Sequence, residues 1–334
     1  MKEHEKAKCP CGSGSPYIEC CLPAHIDKSR AQPAREFGEE IEKLIGARHF
    51  DSVEAMNEFA YLCCDRYNRA PQADLLGLSP DQVHWLVNHP LEGTQDLLRL
   101  DSSLGRDDLA GIPVVRDAEH LLKALAEAEA VRMTVTGNLP REFAKGLFEH
   151  IDRSEWKKYI KFRSETDSMP LHSLRLILTM GGWIRKLKGH FRLTKKGREV
   201  SGSGFSGADY ADLLWTYTRR FNWKYQDGFP DFDMIQKAYL FSFYLLHKQA
   251  RVFVKDFQLA PHFLRAFPAV LAEAEISASD AYASFSHCYN VRFLERFCAY
   301  FGLIETKRRG SDPFDRRFDL KVTPFYDKLL AWKI

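Results

Sequence analysis

The sequence predicts a mainly α protein with small β hairpins, built as several modules along 334 residues. Three observations lead there. Apolar residues recur at helical spacing through most of the chain, while short alternating runs bounded by glycine turns are few. The order helix, strand, helix, helix, hairpin occurs once with clear turn signals and returns in weaker form further on. Charge is segregated: residues 41–130 carry 8 Lys/Arg against 16 Asp/Glu, whereas residues 131–200 carry 16 against 7. A hydrophobic content of 45% with 13% aromatics suffices for cores in two or three domains.

Residues 1–25 make the first module. Cys9, Cys11, Cys20 and Cys21 form two close pairs joined by a loop of Gly, Ser and Pro. Folded back on itself, such a loop sets four thiolates around one ion, and a soft tetrahedral cage suits Zn²⁺. With every position filled by protein, the site reads as structural. A disulfide or four unrelated thiols are the alternatives, and the vicinal Cys20–Cys21 pair disfavours a disulfide. In so short a stretch metal binding supplies the folding free energy, on the order of 10–16 kcal/mol. The stretch resembles the SEC-C motif, a small zinc module known from the tail of the preprotein translocase ATPase. Cys9, Cys11, Cys20 and Cys21 match its ligand positions, and Gly12, Ser13 and Gly14 its turn. The resemblance implies a zinc cofactor and a protein or ribosomal partner. It departs from the motif at Ser15, Pro16, Tyr17, Ile18 and Glu19, where the family usually carries lysines.

Residues 26–40 are polar and proline-containing and read as a linker. The acidic module, 41–115, starts with two helices through Ile41–Ile45 and Val53–Cys63. Ser79, Pro80 and Gln82 then spell an N-cap, a first-turn proline and a capping box. Cys63 and Cys64 read as packed small side chains and not as a redox pair.

Residues 116–200 carry the clear repeat unit. Leu121, Leu122 and Leu125 mark a helix, Val131 to Thr136 a strand, and Pro140 opens a helix through Phe143, Leu147 and Ile151. Pro170 opens the third helix, ended by Gly181 and Gly182. Trp183–Leu187 and Phe191–Leu193 flank a Lys188-Gly189 turn. This is the order of a winged helix, and Phe191 to Gly197 resembles the wing and exit helix of many bacterial winged-helix proteins. Residues 201–231 read as a linker and helix. Residues 232–334 repeat the order weakly: helix 233–247, strand Arg251–Lys255, helices 261–271 and 286–301, and a wing from 303–307 and 317–322. The similar length of the two units favours a tandem pair of winged-helix domains.

The basic stretch supplies the second candidate site. In a winged helix the third helix reads base edges and the wing touches phosphates. Here only His172, Ser173, Arg175 and Thr179 point that way, too few for direct readout. The wing is richer, with Arg185, Lys186, Lys188, Arg192, Lys195, Lys196 and Arg198, and Lys157, Lys158, Lys161 and Arg163 lie just before. The cluster is either a phosphate footprint or a solvated face opposite the acidic module. In the second unit His287, Asn290, Arg292 and Arg296 sit on the third helix, and Lys307, Arg308, Arg309, Arg316 and Arg317 on its wing. The aromatics between Trp215 and Tyr244 fit a helix core better than base stacking.

Gly202, Gly204 and Gly207 formally match G-x-G-x-x-G, with Asp227 twenty residues beyond. No βαβ pattern surrounds them, so a Gly/Ser hinge explains them better than a dinucleotide site. Catalytic motifs are missing, so no enzymatic activity is expected. The charged start has no apolar run behind it, and the longest apolar stretch is about half a membrane span. The expectation is a cytoplasmic zinc-binding adaptor contacting a protein or ribosomal partner, with no membrane association. The alternative is a regulator that binds DNA or RNA through the basic face at 131–200.

Overall fold

The computed structural model describes residues 32–89, 97–153, 155–274, 278–310 and 317–334. The chain is mainly helical with small antiparallel sheets. It divides into two compact units. The first takes the chain up to Leu97 together with Gln226–Phe293, and the second takes Leu98–Tyr225 together with Leu294–Ile334. Elements expected to share residues 232–334 are therefore distributed over both.

In the first unit, α1 (Gln32–Gly46) and α2 (Val53–Arg69) precede α3 (Pro80–Asn88). The expected start of α3 is present: Ser79 Oγ accepts from the Gln82 amide and Gln82 Oε1 accepts from the Ser79 amide. In the second unit, β1 (Leu98–Leu100) is followed by α4 (Arg106–Leu109), α5 (Pro113–Glu127), β2 (Val131–Arg132), α6 (Arg141–Ile151) and α7 (Met169–Met180). The hairpin β3 (Ile184–Leu187) and β4 (His190–Leu193) comes next, then α8 (Lys195–Ser203) and α9 (Gly207–Arg219). The sheet order is β2-β4-β3.

Back in the first unit, α10 (Met234–Lys237) and α11 (Tyr239–Gln249) replace the single helix expected over 233–247. Only β5 (Val254–Lys255) of the expected strand from Arg251 is extended. Helix α12 (Leu259–Ala266) and a 3₁₀ turn follow, and α13 (Ala278–Tyr289) runs into a π-helical stretch, Asn290–Ala299. The second unit closes with the hairpin β6 (Ile304–Arg308) and β7 (Phe318–Val322), α14 (Pro324–Leu329) and β8 (Leu330–Trp332), which pairs with β1.

Local chemistry explains why 168–203 folds as it does. Ser168 caps α7 and Pro170 fills its first turn. Gly182, at φ 81°, reverses the chain, and the Trp183 amide reaches back to the Leu178 carbonyl as in a Schellman end. Lys188 (φ 48°) and Gly189 (φ 75°) both take the left-handed conformation that a two-residue hairpin turn demands. Thr194 then caps α8 by accepting from the Gly197 amide, while its hydroxyl donates to the Gly182 carbonyl.

Gly204 and Gly207 sit in a packed corner and not in a hinge, while Gly202 is exposed on α8. Phe205 between them is 2% exposed, and a side chain on Gly207 would strike the Ser102 carbonyl. The aromatics after Trp215 are core, as expected: in the second unit Tyr217 stacks on Phe297 at 5.0 Å and Trp223 lies 4.9 Å from the same ring.

Candidate nucleic-acid interface

The three-stranded sheet of the second unit has one buried and one open face. Directly opposed residues in an antiparallel ladder project to the same side. Val131, Phe191, Ile184 and Leu193 face the core. On the open side Arg185 stands opposite Arg192, and His190 stands opposite both Leu187 and Arg132. Arg132, Arg185 and Arg192 are exposed, and none has a carboxylate within ion-pair distance among the described residues. Two like charges opposed across a ladder are destabilising. The strand expected over Val131 to Thr136 is confined to Val131–Arg132, and the place of Arg132 opposite His190 appears only once the register is known.

The other wing candidates separate. Lys186 projects to the opposite side, where its ammonium lies 5.6 Å from the Phe191 ring. Lys188 is exposed at the tip of the turn. Lys195 is exposed at the start of α8, with Glu199 at 3.9 Å. Lys196 is committed to the fold: its ammonium sits 3.6 Å from the Trp183 ring and 2.7 Å from Asp212.

The third helix offers no base-reading surface. Every residue of α7 after Pro170 is buried or half-buried, and α5, α6 and α9 pack against it. His172 Nδ1 lies 2.6 Å from Glu165 Oε1, and His172 Nε2 lies 3.0 Å from the Tyr225 hydroxyl. Arg175 donates to the same Glu165 oxygen at 2.9 Å and to Asn138 at 3.2 Å. Thr179 donates to the Arg175 carbonyl and Ser173 to Met169 Sδ. Burial alone would raise the Glu165 carboxyl, but the bond from His172, the charge of Arg175 and the Leu139 amide outweigh it and hold it below the usual carboxylate value. Of the four side chains expected to face DNA, His172 and Arg175 tie α7 to Glu165, Tyr225 and Asn138, while Ser173 and Thr179 bond within the helix.

The second-unit candidates are likewise partly spent. The guanidinium of Arg309 donates to Asp319 at 2.7 Å, and Lys307 is exposed. In the first unit Arg292 is buried on Asp227, and Asn290 donates to Asp256 at 3.1 Å. Asp227, the formal acidic partner of a dinucleotide site, is thus an ion-pair partner. Arg316 lies outside the described residues.

The family model that matches is that of the Y4jL N-terminal domain, over residues 110–205. The match covers α5 through α8 and the sheet between them. The model that matches is not the SEC-C motif, so the SEC-C resemblance read from the sequence is overturned. No curated protein and no solved structure matches the chain. Cys9, Cys11, Cys20 and Cys21, to which zinc was assigned, lie outside the described residues. Among the described residues no group of three or more His, Cys, Asp or Glu side chains is placed to hold a metal ion. No helix among them is long and apolar enough to cross a membrane.

Proposed function

We propose that residues 110–205 bind the phosphate backbone of a nucleic acid through the open sheet face and the wing, without reading sequence. The observation that carries this is the Arg185–Arg192 cross-strand pair, flanked by Arg132 and without a carboxylate in ion-pair distance among the described residues. A bound phosphate backbone relieves the like-charge repulsion of that pair, and guanidinium groups suit phosphate geometry. The helix, strand, helix, helix, hairpin arrangement with sheet order β2-β4-β3 is read here as a winged helix that contacts its target by the wing. The buried α7 argues against base recognition. An adaptor working through an N-terminal zinc module drew its partner from the SEC-C resemblance and loses that support. A cytoplasmic setting fits the thiols of Cys63, Cys64 and Cys298, which are in no disulfide among the described residues.

The test is affinity for random-sequence duplex DNA and duplex RNA at two salt concentrations. Each neutralised phosphate contributes about −0.9 to the slope of log K against log salt, so the double variant R185E/R192E should flatten the slope by about 2. Unchanged affinity and slope in that variant would leave the sheet face merely solvated.

A further inference from the structure

A separate cleft of about 670 Å³ opens on the second unit between α6 and the 3₁₀ turn Glu155–Tyr159. Among the described residues its rim holds four cations, Arg141, Lys145, Lys157 and Lys158, and one carboxylate, Glu149. Lys157 satisfies that carboxylate at 2.9 Å and also donates to the Glu149 carbonyl at 2.7 Å. Lys145 and Lys158 then have no carboxylate partner among the described residues, and Arg141 has only its exposed neighbour Glu142 at 3.9 Å. Arg141 and Lys145 lie one turn apart on α6, a like-charge spacing that costs an isolated helix stability. The floor is apolar: the Phe148 and Phe162 rings stack at 4.7 Å, and Ile160 is half-buried beside them.

An inorganic anion needs the rim but not the floor. An acyl chain needs a deeper apolar enclosure than this open cleft. A planar, weakly polar ring carrying a phosphate uses both. We infer that the cleft binds a nucleoside phosphate, free or as one unit of a single strand, with the phosphate on Lys145, Lys158 and Arg141 and the base over Phe148, Ile160 and Phe162. None of these residues belongs to the sheet face, so this site and the wing fail or stand separately.

The test uses the full chain with labelled AMP, a short labelled oligothymidylate, and inorganic phosphate as competitor. Wild-type protein should bind a nucleotide probe, and K145E/K158E should weaken it about tenfold or more through loss of charge-assisted phosphate contacts. R185E/R192E should change the affinity for AMP less than about twofold, since the two sets of residues share no member and no contact partner. AMP binding identifies a free nucleotide as sufficient, whereas oligonucleotide binding without AMP binding, weakened by K145E/K158E in the R185E/R192E background, assigns the site to a strand. A bromouridine oligonucleotide photocrosslinked to wild-type protein should attach to the peptide spanning 141–162, which checks the site without any variant. The inference is overturned if no nucleotide probe binds, if inorganic phosphate competes as well as AMP, or if K145E/K158E binds normally.

Discussion

Glu165 Oε1 lies 2.6 Å from His172 Nδ1 and 2.9 Å from Arg175 Nε, with all three residues buried. The other Glu165 oxygen accepts from the Leu139 amide at 2.6 Å, so one carboxylate ties the loop before α6 to the middle of α7. It fixes the base of the sheet from inside, because Arg175 also lies 5.2 Å from the centre of the Phe191 ring on β4.

Removing that charge is expected to be costly. E165Q leaves the Arg175 guanidinium buried beside a neutral amide, and breaking a buried pair at one partner costs about 3 kcal/mol or more. The sign with pH follows from the lowered carboxyl value. Its contribution is full above the ordinary carboxylate range and is lost as pH falls through the lower folded value. Urea titrations of wild type across the acidic range should show stability falling with pH, and E165Q should show a shallower fall.

Lys195 and Lys196 are adjacent in sequence and opposite in role. Lys196 rests on Trp183 and Asp212, so K196A should lower stability by about 1 kcal/mol, chiefly through the cation–π contact. Lys195 is 88% exposed, and K195A should leave stability unchanged. If the wing binds phosphate, K195A alone should reduce the salt slope. A reversed pattern of denaturation midpoints would refute this division.

What the sequence made visible was local chemistry. The Ser79 cap, the Lys188-Gly189 turn and the Gly181–Gly182 stop rest on backbone requirements that few residues meet. The functional reading of α7 failed for a different reason. Leu171, Leu174 and Leu178 mark one stripe, and His172, Arg175 and Thr179 run beside it at the same spacing, which looks like a polar edge in one dimension. Burial of that edge depends on Glu165 and on Tyr225, fifty-three residues from His172. The one available signal was a carboxylate preceding a helix that carries His and Arg three residues apart. Arg132 was hidden because only the register places it near the arginine pair.

Gly197 tests how closely the exit helix must approach the wing. A Cβ there would collide with the Trp183 carbonyl, which belongs to backbone and has little room to yield. G197A is therefore expected to cost about 2 kcal/mol by overpacking, more than any gain in helix propensity returns. It should also weaken nucleic-acid binding if the wing carries it, because α8 and the strand β3 would separate. Stability equal to wild type in urea would show that the helix shifts freely.

Arg292 and Asp227 clasp one another inside the first unit. Both side chains are 1% exposed, the two bonds measure 2.6 and 3.0 Å, and the guanidinium also donates to the Asp231 and Pro230 carbonyls. Burial alone would lower the Arg292 value, but the bond that Arg292 donates to Asp227 outweighs it and keeps the guanidinium charged. D227A strands that charge and should cost about 3–5 kcal/mol, whereas the apolar double variant D227L/R292M should cost less than D227A alone. The order follows from desolvation: an unpaired buried ion is worse than none. A urea double-mutant cycle measures it, and a double variant less stable than D227A would mean that the two carbonyl contacts of Arg292, and not its ion pair, hold the 227–231 segment against the helix.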